Sequence, residues 1–441
     1  VKVTIKPSSV FGEIKAPASK SMMQRACAAA LIRRGITVIH NYGVSNDDKT
    51  AINIIESLGA KVTILYNTLV IDSTASNIKS TIINCGETGL CARMFIPIAA
   101  TYKSEFIFEG TGSLLNRPFQ LYEKVLPLLS INIKTNKGKL PITLTGELIP
   151  DDIEVEGDLS SQFITGLLFA YSYQLHNFYT KTSTTNKFIK DKVCIKVNNL
   201  VSKPYIDLTL KVMNDFELFV PENDSYKNFS FNKFNFKQHN FFKPFDYIVE
   251  GDWSSAAFML VAAAIAGSIR VNGLCTNSYQ ADKKIIEVLK SCGAEIDINK
   301  EYVQVQKKAL NPFYFDATDC PDLFPPLVAL AANCTGVSTI IGTNRLIHKE
   351  SNRAITLQLE FNKMGVEIIL EGNGMKIIGG KPLQEASVQS HSDHRIAMAC
   401  AVAALNTTVC TTINNVEAVH KSYSNFFEEL QKIGVNVVFS S

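Results

Sequence analysis

The sequence predicts an α/β protein made of two similar domains, built from six copies of one unit. Three observations carry that prediction. The chain has 441 residues, more than one compact core of usual size accommodates, so two domains are expected. The phrase VEGDLSS, Val155 to Ser161, returns as VEGDWSS, Val249 to Ser255, and both copies run into an apolar stretch. Two kinds of helix alternate along the chain, one apolar all round and one amphipathic.

Each copy of the phrase reads as a short strand, a Gly-Asp turn, a Ser-Ser helix start and an apolar helix. Four more segments share the layout: PASKSMMQRACAAALI at 17–32, CGETGLCARMFIPIAA at 85–100, CPDLFPPLVALAANC at 320–334 and HSDHRIAMACAVAAL at 391–405. Helices so apolar on every side belong in a core. The amphipathic set lies at 47–64, 117–130, 203–218, 281–298, 350–370 and 420–439. Several of its members end in a glycine before a β-branched strand, at Gly59, Gly293, Gly365 and Gly434, the residue favoured at a helix C-terminus. The repeating unit is therefore strand, buried helix, strand, amphipathic helix, strands. At roughly 70–90 residues it exceeds ordinary solenoid periods, and three units per domain account for the chain. The pattern fails between Pro221 and Phe245, where Asn, Lys and Phe dominate a hairpin or loop. The crossing between domains is placed there. One domain takes 1–18 with 248–441 and the other takes 19–247.

The composition, 46% hydrophobic and 19% charged, is that of a globular chain. A net charge of +3 is too small to argue for nucleic acid or a membrane surface. The ten cysteines form no C-x-x-C pair and no zinc spacing, so no metal is expected and a reducing compartment is. The opening residues lack a signal-peptide layout, and the apolar run Ala256 to Gly267 is shorter than a membrane span. These features predict a soluble cytoplasmic protein, and a monomer, since no exposed apolar seam is visible.

Basic residues recur at helix starts, where the helix dipole favours carboxylates. Lys20 and Arg25 flank the first buried helix, and Arg93 falls in the first turn or two of the second. Arg117 precedes Pro118, which reads as a first helical position. Lys349 and Arg353 bracket KESNR, His394 and Arg395 sit in SDHR, and Lys421 starts the last amphipathic helix. Cations at such places make sense when an anion lies between them and the helix amides. They predict ligands with several negative charges, bound where helix N-termini of the two domains converge. No Walker motif and no G-x-G-x-x-G after a strand is present.

Acid–base candidates are few. From spacing alone Asp322 reads as a helix cap, and Glu350 reads equally as a capping or ion-pair residue or as an acid–base residue. His394 lies inside a charged D-H-R run. Ser160, Ser161 and Gln162 offer hydroxyl and amide contacts or caps, and Ser202 and Tyr205 offer polar contacts or a cap and a buried ring. No Ser/His/Asp nucleophile set follows from spacing.

Taken together, SKSMMQRA, GDLSSQFITGLL, SKPYIDLTL, VEGDWSSAAF, PDLFPPL, HKESNRA, SDHRIAMA and HKSYSNFFEEL resemble, in order and spacing, the 5-enolpyruvylshikimate-3-phosphate synthases. The resemblance spans the whole chain. It implies two domains of three βαβαββ units with buried central helices, an inside-out α/β barrel type, joined by a two-segment hinge. It makes the two VEGD phrases equivalent turns, of which only the first touches substrate. It implies an enzyme of aromatic amino acid biosynthesis, a transferase that moves the enolpyruvyl group of phosphoenolpyruvate to the 5-hydroxyl of shikimate 3-phosphate, with no cofactor.

Carried over by position, the resemblance implies that Ser21, Arg25, Ser160, Ser161, Gln162, Ser202, Tyr205, Asp322 and Lys349 bind shikimate 3-phosphate. It implies that Lys20, Gly89, Arg93, Arg117, Arg353, Arg395 and Lys421 bind phosphoenolpyruvate, with Gln162 shared. Asp322 becomes the base for the 5-hydroxyl, Lys20 and Glu350 the candidate proton carriers at the methylene carbon, and His394 the support of Glu350 or the intermediate. One stretch departs: ETGLCAR stands where the family reads N-x-G-T-x-x-R, placing Glu87 and Leu90 beside Gly89. That departure predicts weaker inhibition by glyphosate, which occupies this pocket in the family. Arg345 also stands where an Asn is usual. The sister enzyme acting on UDP-N-acetylglucosamine carries a reactive Cys before its Arg-Pro, whereas GTGSLLNR, 110–117, has none. A non-catalytic binding relative predicts loss of Lys20, Asp322, Glu350 and His394, and all four are present.

Overall fold

A computed structural model describes residues 1–75, 77–180, 190–237 and 243–440. Along them the helices are α1 (Lys20–Arg33), α2 (Asn46–Ser57), α3 (Gly89–Ala99), α4 (Gln120–Val125), α5 (Ser161–Thr180) and α6 (Lys203–Asp215), followed by α7 (Trp253–Ala266), α8 (Ile285–Ser291), α9 (Phe324–Ala332), α10 (Arg353–Lys363), α11 (His394–Ala403) and α12 (Phe426–Lys432). The odd-numbered helices are the apolar ones. Every residue of α3 and α9 is buried, as is every residue of α7 except Ser254. Each Leu, Ile or Phe enclosed in this way contributes roughly 1.5–3 kcal/mol by leaving water. The even-numbered helices bury one stripe, as Ala51, Ile54 and Ile55 do in α2, where Ser45 and Asp48 form a capping box.

Six four-stranded sheets repeat one topology. In one, Ile82–Asn84 runs parallel to Phe106–Glu109 across α3; Lys139–Gly146 then pairs antiparallel with Phe106–Glu109, and Ile131–Asn136 pairs antiparallel on its far side. The spatial order of the four strands is thus first, second, fourth, third. The sheets holding α5 and α9 repeat that order without interruption along the chain. The sheet holding α11 is completed from the N-terminus: Lys2–Ile5 fills its fourth place, between Thr411–Asn414 and Val437–Ser440.

Two compact units result, Val1–Ser19 with Glu250–Ser441, and Lys20–Val249. In the second, α1, α3 and α5 pack against one another; in the first, α7, α9 and α11 do. The chain passes between units at Ser19/Lys20 and at Val249/Glu250. The second passage lies inside VEGDWSS, so the two VEGD phrases are not equivalent turns. Ile153–Glu156 and α5 both belong to the second unit. Phe245–Ile248, by contrast, leads into α7 but pairs parallel with Ile36–His40 in the sheet of α1. Reciprocally, Val10–Lys15 leads into α1 but pairs with Gly267–Asn272 in the sheet of α7. The Asn-, Lys- and Phe-rich stretch is not the crossing. Glu222–Asp224 and Asn228–Asn232 form a hairpin that completes the sheet of α5, and 238–242 lie outside the described residues.

Candidate active site

In the second unit three arginines are buried at helix starts or beside them. Arg25 is 1% exposed. It donates to Thr209 Oγ1 at 2.9 Å, to the Ser21 carbonyl at 2.9 Å and to the Tyr205 carbonyl at 3.3 Å, all neutral acceptors. Burial lowers its pKa to about 10, still charged at neutral pH. Ser21, Arg25, Ser202 and Tyr205 are thereby brought together at the first turns of α1 and α6. Ser202 caps α6 in a left-handed conformation (φ 55°). At the start of α5, Ser160 Oγ accepts from the Gln162 amide at 3.3 Å, while Ser161 is buried.

Gln162 joins this corner to the next. Its Oε1 accepts from Arg93 Nη1 at 2.9 Å, and the Arg93 guanidinium lies over the rings of Phe163 and Phe119. Arg117 reaches the same place: a Cβ added at Gly89 would stand 2.5 Å from its Nη1 and 3.6 Å from Arg93 Nη1. Gly89 therefore opens α3 because a side chain there collides with a guanidinium. Leu90 is buried as the second residue of α3, and the Glu87 carboxyl packs against Gly112. Lys20, first residue of α1, pairs with Asp47 at 2.9 Å.

The first unit gathers a different set. Asp322 lies in the 3-10 turn Pro321–Leu323 and caps no helix. Its carboxylate accepts from Arg353 Nη1 at 2.7 Å, Lys349 Nζ at 3.1 Å and Arg395 Nη2 at 3.2 Å. Burial opposes its ionisation, but Arg395, Lys349 and Arg353 outweigh that and hold its pKa well below the usual carboxylate range. Arg353, 1% exposed at the first position of α10, also donates to Glu350 at 2.5 Å and to both oxygens of Asp393, at 2.8 and 3.2 Å. Asp393 in turn caps α11 by accepting from the Arg395 amide at 3.0 Å, and it receives Ser351 Oγ at 3.1 Å. His394 is buried, with Nδ1 3.8 Å from Asp393. Behind the network, Asp282 is 1% exposed and receives the Ser254 hydroxyl. Burial, with the nearby Asp322 charge, pushes its pKa up to about 7.

Besides Asp322, expected from spacing as a helix cap, two positions differ from the sequence expectation. Arg117 with Pro118 does not open a helix: Arg117 ends the 3-10 turn Gly112–Asn116, and α4 begins at Gln120 with Phe119 at its cap. Lys421 does not start α12; it ends the 3-10 turn Val416–Lys421 and is buried there. Asp47, Asp282 and Asp393 went unmarked in the sequence reading. Their only local signal is an Asp near a helix start, which every capping Asp shares.

A family model described as EPSP synthase (3-phosphoshikimate 1-carboxyvinyltransferase) matches residues 5–430. The chain belongs to the EPSP synthase family. It is 34% identical over 442 residues to the 3-phosphoshikimate 1-carboxyvinyltransferase of Clostridium novyi (strain NT), covering 98% of this chain and 97% of that protein. With the Clostridium kluyveri protein of the same name it shares 35% identity over 433 residues, at 98% and 97% coverage. An EPSP synthase structure from Acinetobacter baumannii superposes with a TM-score of 0.79 at 22% identity, over 99% of this chain and 100% of that one. The EPSP synthase fold accounts for the six sheets and the central helices described above.

Proposed function

We propose that the chain transfers the enolpyruvyl group of phosphoenolpyruvate to the 5-hydroxyl of shikimate 3-phosphate and releases phosphate. Asp322 carries this reading: an ionised carboxylate with three cations on it is a base whose strength a bound anion controls. An anionic substrate that draws Arg353 and Arg395 to itself removes two of the three charges that depress the Asp322 pKa. The base strengthens as substrate arrives.

In this account Arg25, Ser21, Ser160, Ser161, Gln162, Ser202, Tyr205 and Lys349 hold shikimate 3-phosphate. Gly89, Arg93, Arg117, Arg353, Arg395 and Lys421 hold phosphoenolpyruvate. The 5-hydroxyl oxygen bonds to C2 of phosphoenolpyruvate and its proton passes to Asp322. The methylene carbon C3 takes a proton from Lys20 or Glu350, giving the tetrahedral intermediate. The bond from C2 to the phosphate oxygen then breaks, phosphate leaves, and C3 returns a proton to the same group to restore the enol double bond. His394 supports Glu350 or the intermediate. The reading includes a cytoplasmic monomer; the ten cysteines are free thiols, and no described helix is long and apolar enough to cross a membrane.

Phosphate release from purified protein tests the reading. Release is expected only with both substrates and no added metal, and Asp322→Ala is expected to lose about 10³-fold in kcat. Release with UDP-N-acetylglucosamine in place of shikimate 3-phosphate contradicts the assigned acceptor, and release with neither contradicts the transferase reading.

A further inference from the structure

We infer that Gln280 is a positioning residue that clasps both chain crossings and so fixes the backbone from which Lys20 starts. The inference rests on the reading above, in which Lys20 is one of two candidates for the proton carrier at C3 of phosphoenolpyruvate.

Gln280 is 7% exposed, and both ends of its amide are engaged. Its Oε1 accepts from Ser19 Oγ at 3.1 Å and from the Trp253 amide at 3.0 Å. Its Nε2 donates to the Gly251 carbonyl at 2.9 Å and to Glu250 Oε2 at 3.2 Å. Ser19 is the last residue of the first crossing before Lys20, and Glu250 to Trp253 form the second crossing. The two crossings are otherwise tied by a short ladder. The Ser19 amide donates to the Glu250 carbonyl and the Asp252 amide to the Pro17 carbonyl, each at 2.8 Å, around the Ala18–Gly251 bridge.

A primary amide suits this place because it supplies two acceptor sites and two donors at once, and a buried carboxylate or hydroxyl supplies only part of that set. Gln280 itself is oriented by its neighbours. Its backbone N–H donates to Ser278 Oγ at 3.1 Å, and two residues later Asp282 receives Ser254 Oγ from the start of α7. Segment 278–282 thus grips VEGDWSS at four points, which gives the second phrase a task distinct from that of VEGDLSS. Lys20 follows Ser19 directly as the first residue of α1, so a shift of the Ser19 backbone is passed to the residue whose ammonium pairs with Asp47.

The test compares wild type with Gln280→Ala and with Q280E, alone and combined with E250Q. Q280E keeps the acceptor half, loses the donors and sets a second carboxylate against Glu250; E250Q restores a donor to the pair. Three readouts are taken: kcat and KM by phosphate release, shikimate 3-phosphate affinity by calorimetry, and hydrogen exchange of peptides spanning 16–20 and 249–254. Q280A is expected to lower kcat about tenfold, as a displaced catalytic group does. It is expected to speed exchange in both peptides and to lower shikimate 3-phosphate affinity less than kcat, since only Ser21 of the groups assigned to that ligand adjoins Lys20. Q280E is expected to behave like Q280A, with E250Q recovering part of kcat. Wild-type kcat in Q280A, or unchanged exchange at 16–20, overturns the inference. A wild type that releases no phosphate defeats the proposed reaction alone, and the exchange readout still decides whether Gln280 holds the crossings.

Discussion

Arg25 and Arg93 in the second unit and Arg353 and Arg395 in the first are held by contrasting partners. In the second unit, Arg25 rests on a hydroxyl and two carbonyls, and Arg93 on Gln162, the Pro118 carbonyl and two aromatic rings. In the first unit, Arg353 and Arg395 rest on the carboxylates of Asp322, Glu350 and Asp393. Neutral partners orient a guanidinium and leave its charge for a ligand, which suits a permanent anion such as a phosphate ester. Carboxylate partners cancel the charge until an incoming anion competes for it, and that competition changes the basicity of the carboxylate released. On this account the Arg25 cluster is built to grip, and the Asp322 network to couple gripping to proton transfer.

The contrast is broken most directly at Arg353, which holds Asp322, Glu350 and Asp393 together. Arg353→Lys keeps a charge but gives up the two-point contact with Asp393. We expect a loss of about 10²-fold in kcat/KM for phosphoenolpyruvate, read by steady-state kinetics, with shikimate 3-phosphate affinity little changed. Arg25→Gln removes a buried charge that has neutral neighbours only. Shikimate 3-phosphate affinity is expected to fall roughly 10–100-fold by calorimetry, the size of a charge-assisted contact. Gly89→Ala pushes Arg117 aside and should raise KM for phosphoenolpyruvate about tenfold while sparing the other substrate.

The smallest effect concerns stability. Asp282 has a pKa near 7 in the fold because it is buried beside Asp322. A carboxyl raised above its unfolded value of about 3.9 contributes stability that is full below that value and is lost as pH climbs toward 7. Asp282→Asn is therefore expected to match wild type in Tm at pH 4 and to exceed it at pH 8, by on the order of 1–3 kcal/mol in unfolding free energy. Equal Tm differences at both pH values contradict the buried-proton account.

Much of the fold was legible because burial leaves its mark on composition. Helices such as α7, enclosed on all sides, must be apolar on all sides, and six of them in a regular rhythm imply six units. The exchange of Val10–Lys15 and Phe245–Ile248 between sheets was not legible, since a strand reads the same whichever parallel neighbour it takes. The same blindness made VEGDWSS look like a second copy of VEGDLSS. In the site, the cations stood out because they sit against the helix dipole. The carboxylates that hold them did not, because Asp393 and Asp47 stand where a capping or first-turn acid is ordinary. Arg117 was misplaced for a local reason: Pro118 fits a first helical position, yet the chain stays extended to Phe119 before α4 starts.

The division between gripping and proton transfer is tested most directly by the affinity of shikimate 3-phosphate for Asp322→Ala set beside that for Arg25→Gln. The account predicts that D322A binds within about tenfold of wild type while its kcat falls about 10³-fold, and that R25Q binds far more weakly. Loss of binding in D322A as deep as in R25Q would contradict it, because Asp322 would then be part of the grip.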